Sequence, residues 1–411
     1  MDAYLLDWVN LLLRWAHVIV AIAWIGSSFY FVFLDNSLTP PADSDLKRKG
    51  VDGELWAVHG GGFYHPQKYM VAPKQIPQHL HWFYWESYST WLTGFALFTV
   101  LYLYQASTFL IDKSVHAWSP AAAIAAALGF LIVFWIVYDA ICRMVLKIRG
   151  QRQGGDRIVG VLVGVFVVFA SWLACQLFAG RAAFLLVGAM MATAMSANVF
   201  FWIIPGQRKV MAQMKAGLPV DPMHGQRAKQ RSVHNTYFTL PVLVAMLSNH
   251  YGFLYGAPNN WLVLVLVMLA GALIRHSFVA RHRALVLAKR VPWEYAGGGV
   301  AALLVVAVSL APATRSSATL SAQAAPAMQM PAASFAEVRA VVTQRCVMCH
   351  NEQLASKNMQ LHTPALIAQH AQQVYQQAVV LKAMPLNNAT QITDAERTLI
   401  KRWFETGAAA D

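Results

Sequence analysis

Eight apolar runs dominate this sequence, each close to the ~20 residues an α-helix needs to cross the hydrocarbon core of a bilayer. They fall near 11–34, 84–105, 121–144, 157–179, 182–204, 236–254, 261–280 and 294–312. A chain built this way is a polytopic helical bundle. Composition agrees, with 57% hydrophobic and only 12% charged residues, the latter about half the usual globular share. The first run lacks a small-residue cleavage site and seven more follow, so it reads as a span and not as a signal peptide.

The net charge of +13 does not point to nucleic acid. The lysines and arginines lie mostly in short loops, where they set topology. Loops after odd-numbered spans carry Lys47, Arg48 and Lys49, then Lys147 and Arg149, then Arg208 to Arg231, then Arg281 to Arg290; loops after even-numbered spans offer little beyond Lys113 and Arg181. The positive-inside rule makes the first set cytoplasmic and both termini periplasmic, with the lipid bilayer as the chain's surroundings.

Beyond the last span, 313–333 is rich in Ala, Pro and Ser and reads as a flexible periplasmic linker. A separate domain follows over 334–411. Ser334-x-x-Glu337 and Thr393-x-x-Glu396 read as capping boxes that open two helices, the second carrying Leu399, Trp403 and Phe404. About 75 residues make a weak core alone, and a large apolar prosthetic group would complete it. Cys346-Val347-Met348-Cys349-His350 is C-x-x-C-H, the attachment sequence of c-type haem. Each thiol adds to a haem vinyl group and the histidine meets the iron. A thioredoxin-like C-x-x-C prefers a βαβ context and needs no histidine. For the second axial ligand Met384, in Ala383-Met384-Pro385, is favoured over Met359, which leaves little chain to wrap the far haem face. Cys142 and Cys175 lie in apolar runs and read as small buried hydrophobes.

Ionisable groups at membrane depth are costly and mark function by default. His17 and His250, beside Asn249, sit toward the periplasm; on two helices at similar depth they are candidate ligands of a b-type haem. Toward the cytoplasm lie His79, His81, Glu86, Asp139, Arg143, Asn198, Arg275 and His276, with His234 at the start of span 6. Each has a bland reading. Asp139 and Arg143 neutralise one another at i,i+4, Trp82, Tyr84 and Trp85 form an interfacial belt around the histidines, and Arg14 and Arg275 snorkel.

The runs Arg14-Trp15-Ala16-His17 through Trp24-Ile25-Gly26, His79-Leu80-His81-Trp82-Phe83-Tyr84-Trp85-Glu86 to Trp91-Leu92-Thr93-Gly94, and His234-Asn235-Thr236-Tyr237 to Ser248-Asn249-His250-Tyr251, with Arg275-His276, carry a resemblance. Over its whole length the chain resembles the membrane-bound urate oxidases (urate hydroxylases). The resemblance implies an all-α fold: a membrane bundle of about eight transmembrane helices over 1–312, then a small class I-like cytochrome c domain, in a bacterial inner membrane. It implies hydroxylation of urate to 5-hydroxyisourate. Electrons would leave through the C-terminal haem to a periplasmic cytochrome c or terminal oxidase, without peroxide. Urate is a planar monoanion, which Arg275, Arg143 and His276 would attract and on which Trp82 would stack; Glu86, His79 or His81 is the expected base. Competing expectations are another cytochrome-linked membrane dehydrogenase and a non-catalytic tethered cytochrome. Eight spans with a polar cluster count against the latter.

Overall fold

The structure is a computed structural model that describes residues 2–69, 73, 76–149, 155–311, 333–354, 359–380 and 382–410. Each of the eight apolar runs forms helix. In chain order the long helices are α1 (Asp2–Ser37), α3 (Trp85–Phe98), α5 (Pro120–Arg149), α6 (Gly155–Leu177), α7 (Gly180–Ala197), α9 (Pro222–Leu247), α11 (Asn260–Val286) and α12 (Trp293–Ser309). Between them lie α2 (Ser44–Lys49), α4 (Ala106–Phe109), α8 (Ile204–Lys215) and α10 (Gly252–Tyr255). Five helical stretches among the described residues are long and apolar enough to cross a membrane: Tyr4–Ser37, Pro120–Val145, Arg157–Leu177, Gly180–Lys215 and Asn260–Val286. Helix α12 is apolar but shorter. Helix α3 loosens into a wider turn over Thr99–Leu103.

Large apolar side chains face outward along these helices. Trp15, Ile22, Val161 and Val308 are each more than 60% exposed. Apolar surface on this scale requires an apolar surrounding. The interior belongs to α7, whose Phe184, Leu186, Val187, Met190 and Met191 are buried against α5, α6 and α9. Small residues let the helices close up. A Cβ on Gly188 would stand 2.8 Å from the Ala245 Cβ of α9, so only glycine permits that approach.

Helix α9 corrects the expected sixth span. It begins at Pro222, capped by the Asp221 side chain on the Met223 N–H, and ends at Leu247, running through Pro241. His234 is therefore well inside a helix instead of at its start. Four strands of two or three residues, unforeseen in the sequence, fold 53–68 into a small module. β1 (Gly53–Glu54) pairs with β4 (Gln67–Lys68), and β2 (Ala57–His59) with β3 (Gly62–Tyr64).

The expected linker lies outside the described residues except for Ala333. Beyond it are α13 (Phe335–Arg345), α14 (Pro364–Gln369), α15 (Ala371–Val374) and α16 (Asp394–Glu405). Both capping boxes are formed as expected, Ser334 with Glu337 and Thr393 with Glu396. Val338, Val342, Ile367, Ile400 and Trp403 make a second core, separate from that of the long helices.

Candidate functional site

Two buried arginines divide the interior polar residues. Arg231, 2% exposed, is fully compensated. It donates to Asp139 Oδ1 at 2.6 Å and to Asn198 Oδ1 at 3.4 Å, and its guanidinium lies over the rings of Tyr138 and Trp202. Trp202 Nε1 also donates to Asp139 at 2.8 Å, and Arg143 closes the carboxylate's other oxygen at 2.8 Å. Asn198 Nδ2 donates to the Tyr138 hydroxyl and to Asn235 Oδ1, each at 2.9 Å, and Tyr138 passes its own hydrogen to His234 Nδ1 at 2.8 Å. Buried charges persist when paired and hydrogen-bonded in this way. The Asp139–Arg143 pairing agrees with expectation, but Arg231 was read as a loop charge. It belongs to the interior because α9 starts at Pro222, nearly four turns earlier than hydropathy indicates. The polar stripe Gln230, Arg231, His234 and Asn235 on one helix face was the signal.

Arg275 of α11 is the opposite case. It is 5% exposed, and its Nε and Nη2 have no hydrogen-bond partner among the described residues. The Phe29 ring of α1 lies 3.5 Å from the guanidinium carbon. Snorkelling, the bland expectation, is excluded by this burial. The neighbouring His276 is held by its Nδ1, 2.7 Å from the Tyr237 hydroxyl of α9, and its ring meets Tyr295 edge-on at 4.5 Å. The last turns of α1 connect this arginine to the segment before α3. Phe31 contacts Phe83 at 4.8 Å, Phe83 contacts His81 at 4.5 Å, and Phe33 contacts His282 at 5.2 Å. Arg275 and His81 thus lie at the same end of α1. Glu86 is half-buried in the first turn of α3, Trp82 is half-buried, and His79 and His81 are exposed. Arg143 is not brought to Arg275, being committed to Asp139. An unpaired, buried, planar cation facing an aromatic ring selects a flat anion. A groove of about 600 Å³ between α6, α9 and α11 does not suit such a ligand, since its walls are apolar apart from His234 and Tyr237.

Near the middle of α1, the His17 ring rests on α3, where a Cβ at Gly94 would come within 2.9 Å of its Cε1. His17 Nδ1 is 3.0 Å from the Thr93 hydroxyl, which donates its own hydrogen to the Ser89 carbonyl at 2.7 Å. A proton on Nδ1, donated to Thr93, would leave Nε2 with its lone pair, the tautomer a metal requires. His250 is exposed in the turn Ser248–His250, and no contact among the described residues joins it to His17.

In the C-terminal core, Cys346 is half-buried and Cys349 exposed, both as free thiols. Burial pushes the Cys346 thiol up to about 11, with Arg397 opposing, whereas redox-active dithiols are activated by a lowered pKa. His350 follows directly. Its Nδ1 is 3.1 Å from the Met359 carbonyl oxygen. A carbonyl only accepts, so Nδ1 donates and Nε2 keeps the free lone pair. Met384 is tied on both sides by backbone, donating to Gln377 O and accepting from Arg397 Nη1, each at 3.0 Å. The chemistry of this donor set fits a covalently attached haem: two thiols, one oriented imidazole and a methionine whose backbone is held in place.

The fold and these centres define a largely helical protein with membrane-length apolar helices and a buried arginine whose Nε and Nη2 find no partner among the described residues. The chain belongs to the urate oxidase N-terminal family, whose model matches residues 3–311. No curated protein and no solved structure matches it significantly.

Proposed function

We propose that this chain is a membrane-bound urate hydroxylase that oxidises urate in an eight-span bundle and delivers the electrons to a c-type haem on its C-terminal domain. Both termini lie in the periplasm of a bacterial inner membrane. The observation that carries the reading is the unpaired Arg275 guanidinium stacked on Phe29, in a chain of the urate oxidase N-terminal family.

Arg275 binds the urate monoanion through Nε and Nη2, replacing an uncompensated buried charge with charge-assisted hydrogen bonds. Phe29 stacks on one face of the purine, and its ring keeps water from that face. Glu86, the half-buried carboxylate at the same end, takes a proton as the anion is oxidised. His79 and His81, exposed beside it, pass that proton to solvent. Water then adds to the electron-poor ring carbon, so that urate anion and water give 5-hydroxyisourate, one proton and two electrons.

Cys346 and Cys349 would hold the haem as thioethers, and His350 Nε2 and the Met384 thioether would bind its iron. When bound, the haem supplies one-electron acceptance at a potential raised by the His/Met pair. His17, with Nε2 oriented as an acceptor, and His250 are proposed ligands of a second, b-type haem. A periplasmic cytochrome c or terminal oxidase takes the electrons onward.

The test is urate absorbance in membranes carrying the protein, with oxygen and peroxide followed together. Bleaching without matching peroxide, accompanied by reduction of a c-type haem, is expected. Peroxide formed one-for-one with urate lost refutes the cytochrome route, and an absence of bleaching refutes the substrate.

A further inference from the structure

The aromatic residues at the end of the bundle opposite Arg275 have no part in the reaction above, yet they form an ordered line. Phe98 and Tyr102 stack at 5.7 Å with 24° between their planes, and Tyr102 meets Phe109 of α4 at 5.8 Å. Phe98 and Tyr102 are 5% and 3% exposed. Tyr102 is clamped through its hydroxyl, which donates to Asn249 Oδ1 at 2.8 Å. Arg181 donates to the same oxygen at 3.0 Å and lays its guanidinium 5.6 Å above the Phe109 ring. At the inner end, Phe98 follows by one helical turn Gly94, on which the His17 ring rests. At the outer end, α4 packs against the turn Leu386–Asn388 of the C-terminal domain. That turn begins two residues after Met384.

Packing alone explains three neighbouring rings. It does not explain why the line starts beside a metal-competent histidine, why an arginine and an asparagine fix its middle, or why it ends under the loop of an anchored methionine. By loop charge, the 104–119 connection that holds α4 belongs on the periplasmic face, the face also assigned to the C-terminal domain.

We propose that the turn Leu386–Asn388 docks the C-terminal domain on α4, and that Phe98, Tyr102 and Phe109 form the electron route from the bundle to that domain's haem. The route rests on the haem-carrying role proposed above. Each transfer moves one electron and takes ferric haem iron to ferrous, with no bond made or broken. Two such transfers match the electron pair that urate releases.

The docking is tested in the full-length holoprotein with Thr108→Cys and Leu386→Cys together. Mild oxidation is expected to give a linked 108–386 peptide by mass spectrometry, because α4 and the turn Leu386–Asn388 are packed against each other. The linked protein is expected to reduce its haem with urate as fast as the unlinked one, followed by stopped-flow absorbance of the haem α-band. Tyr102→Phe keeps the ring but loses the Asn249 clamp, and is expected to slow that rate less than removal of the ring does. Tyr102→Leu and Phe109→Leu are each expected to slow it about tenfold with urate binding unchanged.

No linked peptide overturns the docking alone. A linked protein whose haem no longer reduces, or leucine variants as fast as Tyr102→Phe, overturns the route. Urate failing to reduce the haem of the unaltered chain overturns the route and the function beneath it together.

Discussion

Exchanging Arg275 for methionine separates stability from substrate binding, and the structure gives opposite signs for the two. The guanidinium is buried with Nε and Nη2 unsatisfied, and each orphaned buried donor costs about 1–3 kcal/mol. The Phe29 contact returns at most about 2 kcal/mol. Methionine spans a similar length, carries no charge and adapts to irregular space. Arg275→Met is therefore expected to raise the stability of the ligand-free protein by about 1–3 kcal/mol, read as a higher apparent melting temperature in detergent. Urate binding moves the other way. Each charge-assisted hydrogen bond lost costs about 1.5–3 kcal/mol, and methionine removes both, so affinity should fall by at least about hundredfold. Arg275→Lys retains charge but not the planar fork and falls between. A methionine variant that melts lower than the parent and binds urate equally well refutes the reasoning, because the guanidinium would then be structural.

Asp139→Ala strands the buried Arg231 and should cost about 3–5 kcal/mol, whereas Arg143→Ala removes the exposed partner of the same carboxylate and should cost less than about 1 kcal/mol; equal melts for the two would show that Arg231 needs no counter-charge. Gly94→Ala should destabilise by about 1–3 kcal/mol by pressing on His17, against a helix-propensity gain of about 1 kcal/mol, and a double-mutant cycle with His17→Ala should recover most of the loss. Glu54 is held below the usual carboxylate range by the Ala42 N–H and then by His65 at 2.5 Å. Its contribution is present above the ordinary carboxylate pKa and is lost as pH falls through the depressed folded value. The 53–68 module should therefore loosen on acidification. Glu54→Gln should be loose already at neutral pH with that dependence gone, read from protease nicking and from the fluorescence of Trp56, which stacks on His65.

Hydropathy found helix at each of its apolar runs because apolar length is a one-dimensional property, although five helical stretches among the described residues are long and apolar enough to cross a membrane. It misplaced α9 because that helix opens with polar residues, Arg231 and Asn235 among them, that face other helices. A sliding average cannot tell a polar residue turned inward from one in a loop. The capping boxes at Ser334 and Thr393 were legible because their geometry is local. The pairing of Arg275 with Phe29 was not, since 246 positions separate them in the sequence and only the α1–α11 contact brings them together. Arg231 and Arg275 look alike in the sequence, and only their partners distinguish them. The module carrying Glu54 escaped notice because strands of two or three residues leave no alternation to read.

The contrast between the two arginines also bears on why the chain needs many helices. A guanidinium is kept charged inside an apolar bundle either by a counter-charge or by a ligand that brings one. Arg231 takes the first solution, with elements from α5, the turn after α7 and α9 closing around it. Its satisfied network holds those helices in one register and rigidifies α9. Arg275 is approached by the α1 and α9 side chains Phe29 and Tyr237, neither of which is an anion, so its position is set while its charge is left open. One fixed network thus serves as the frame against which the other is held unpaired. A single anchoring span could bury neither, and the cost of an uncompensated charge would not persist in a segment with no binding role.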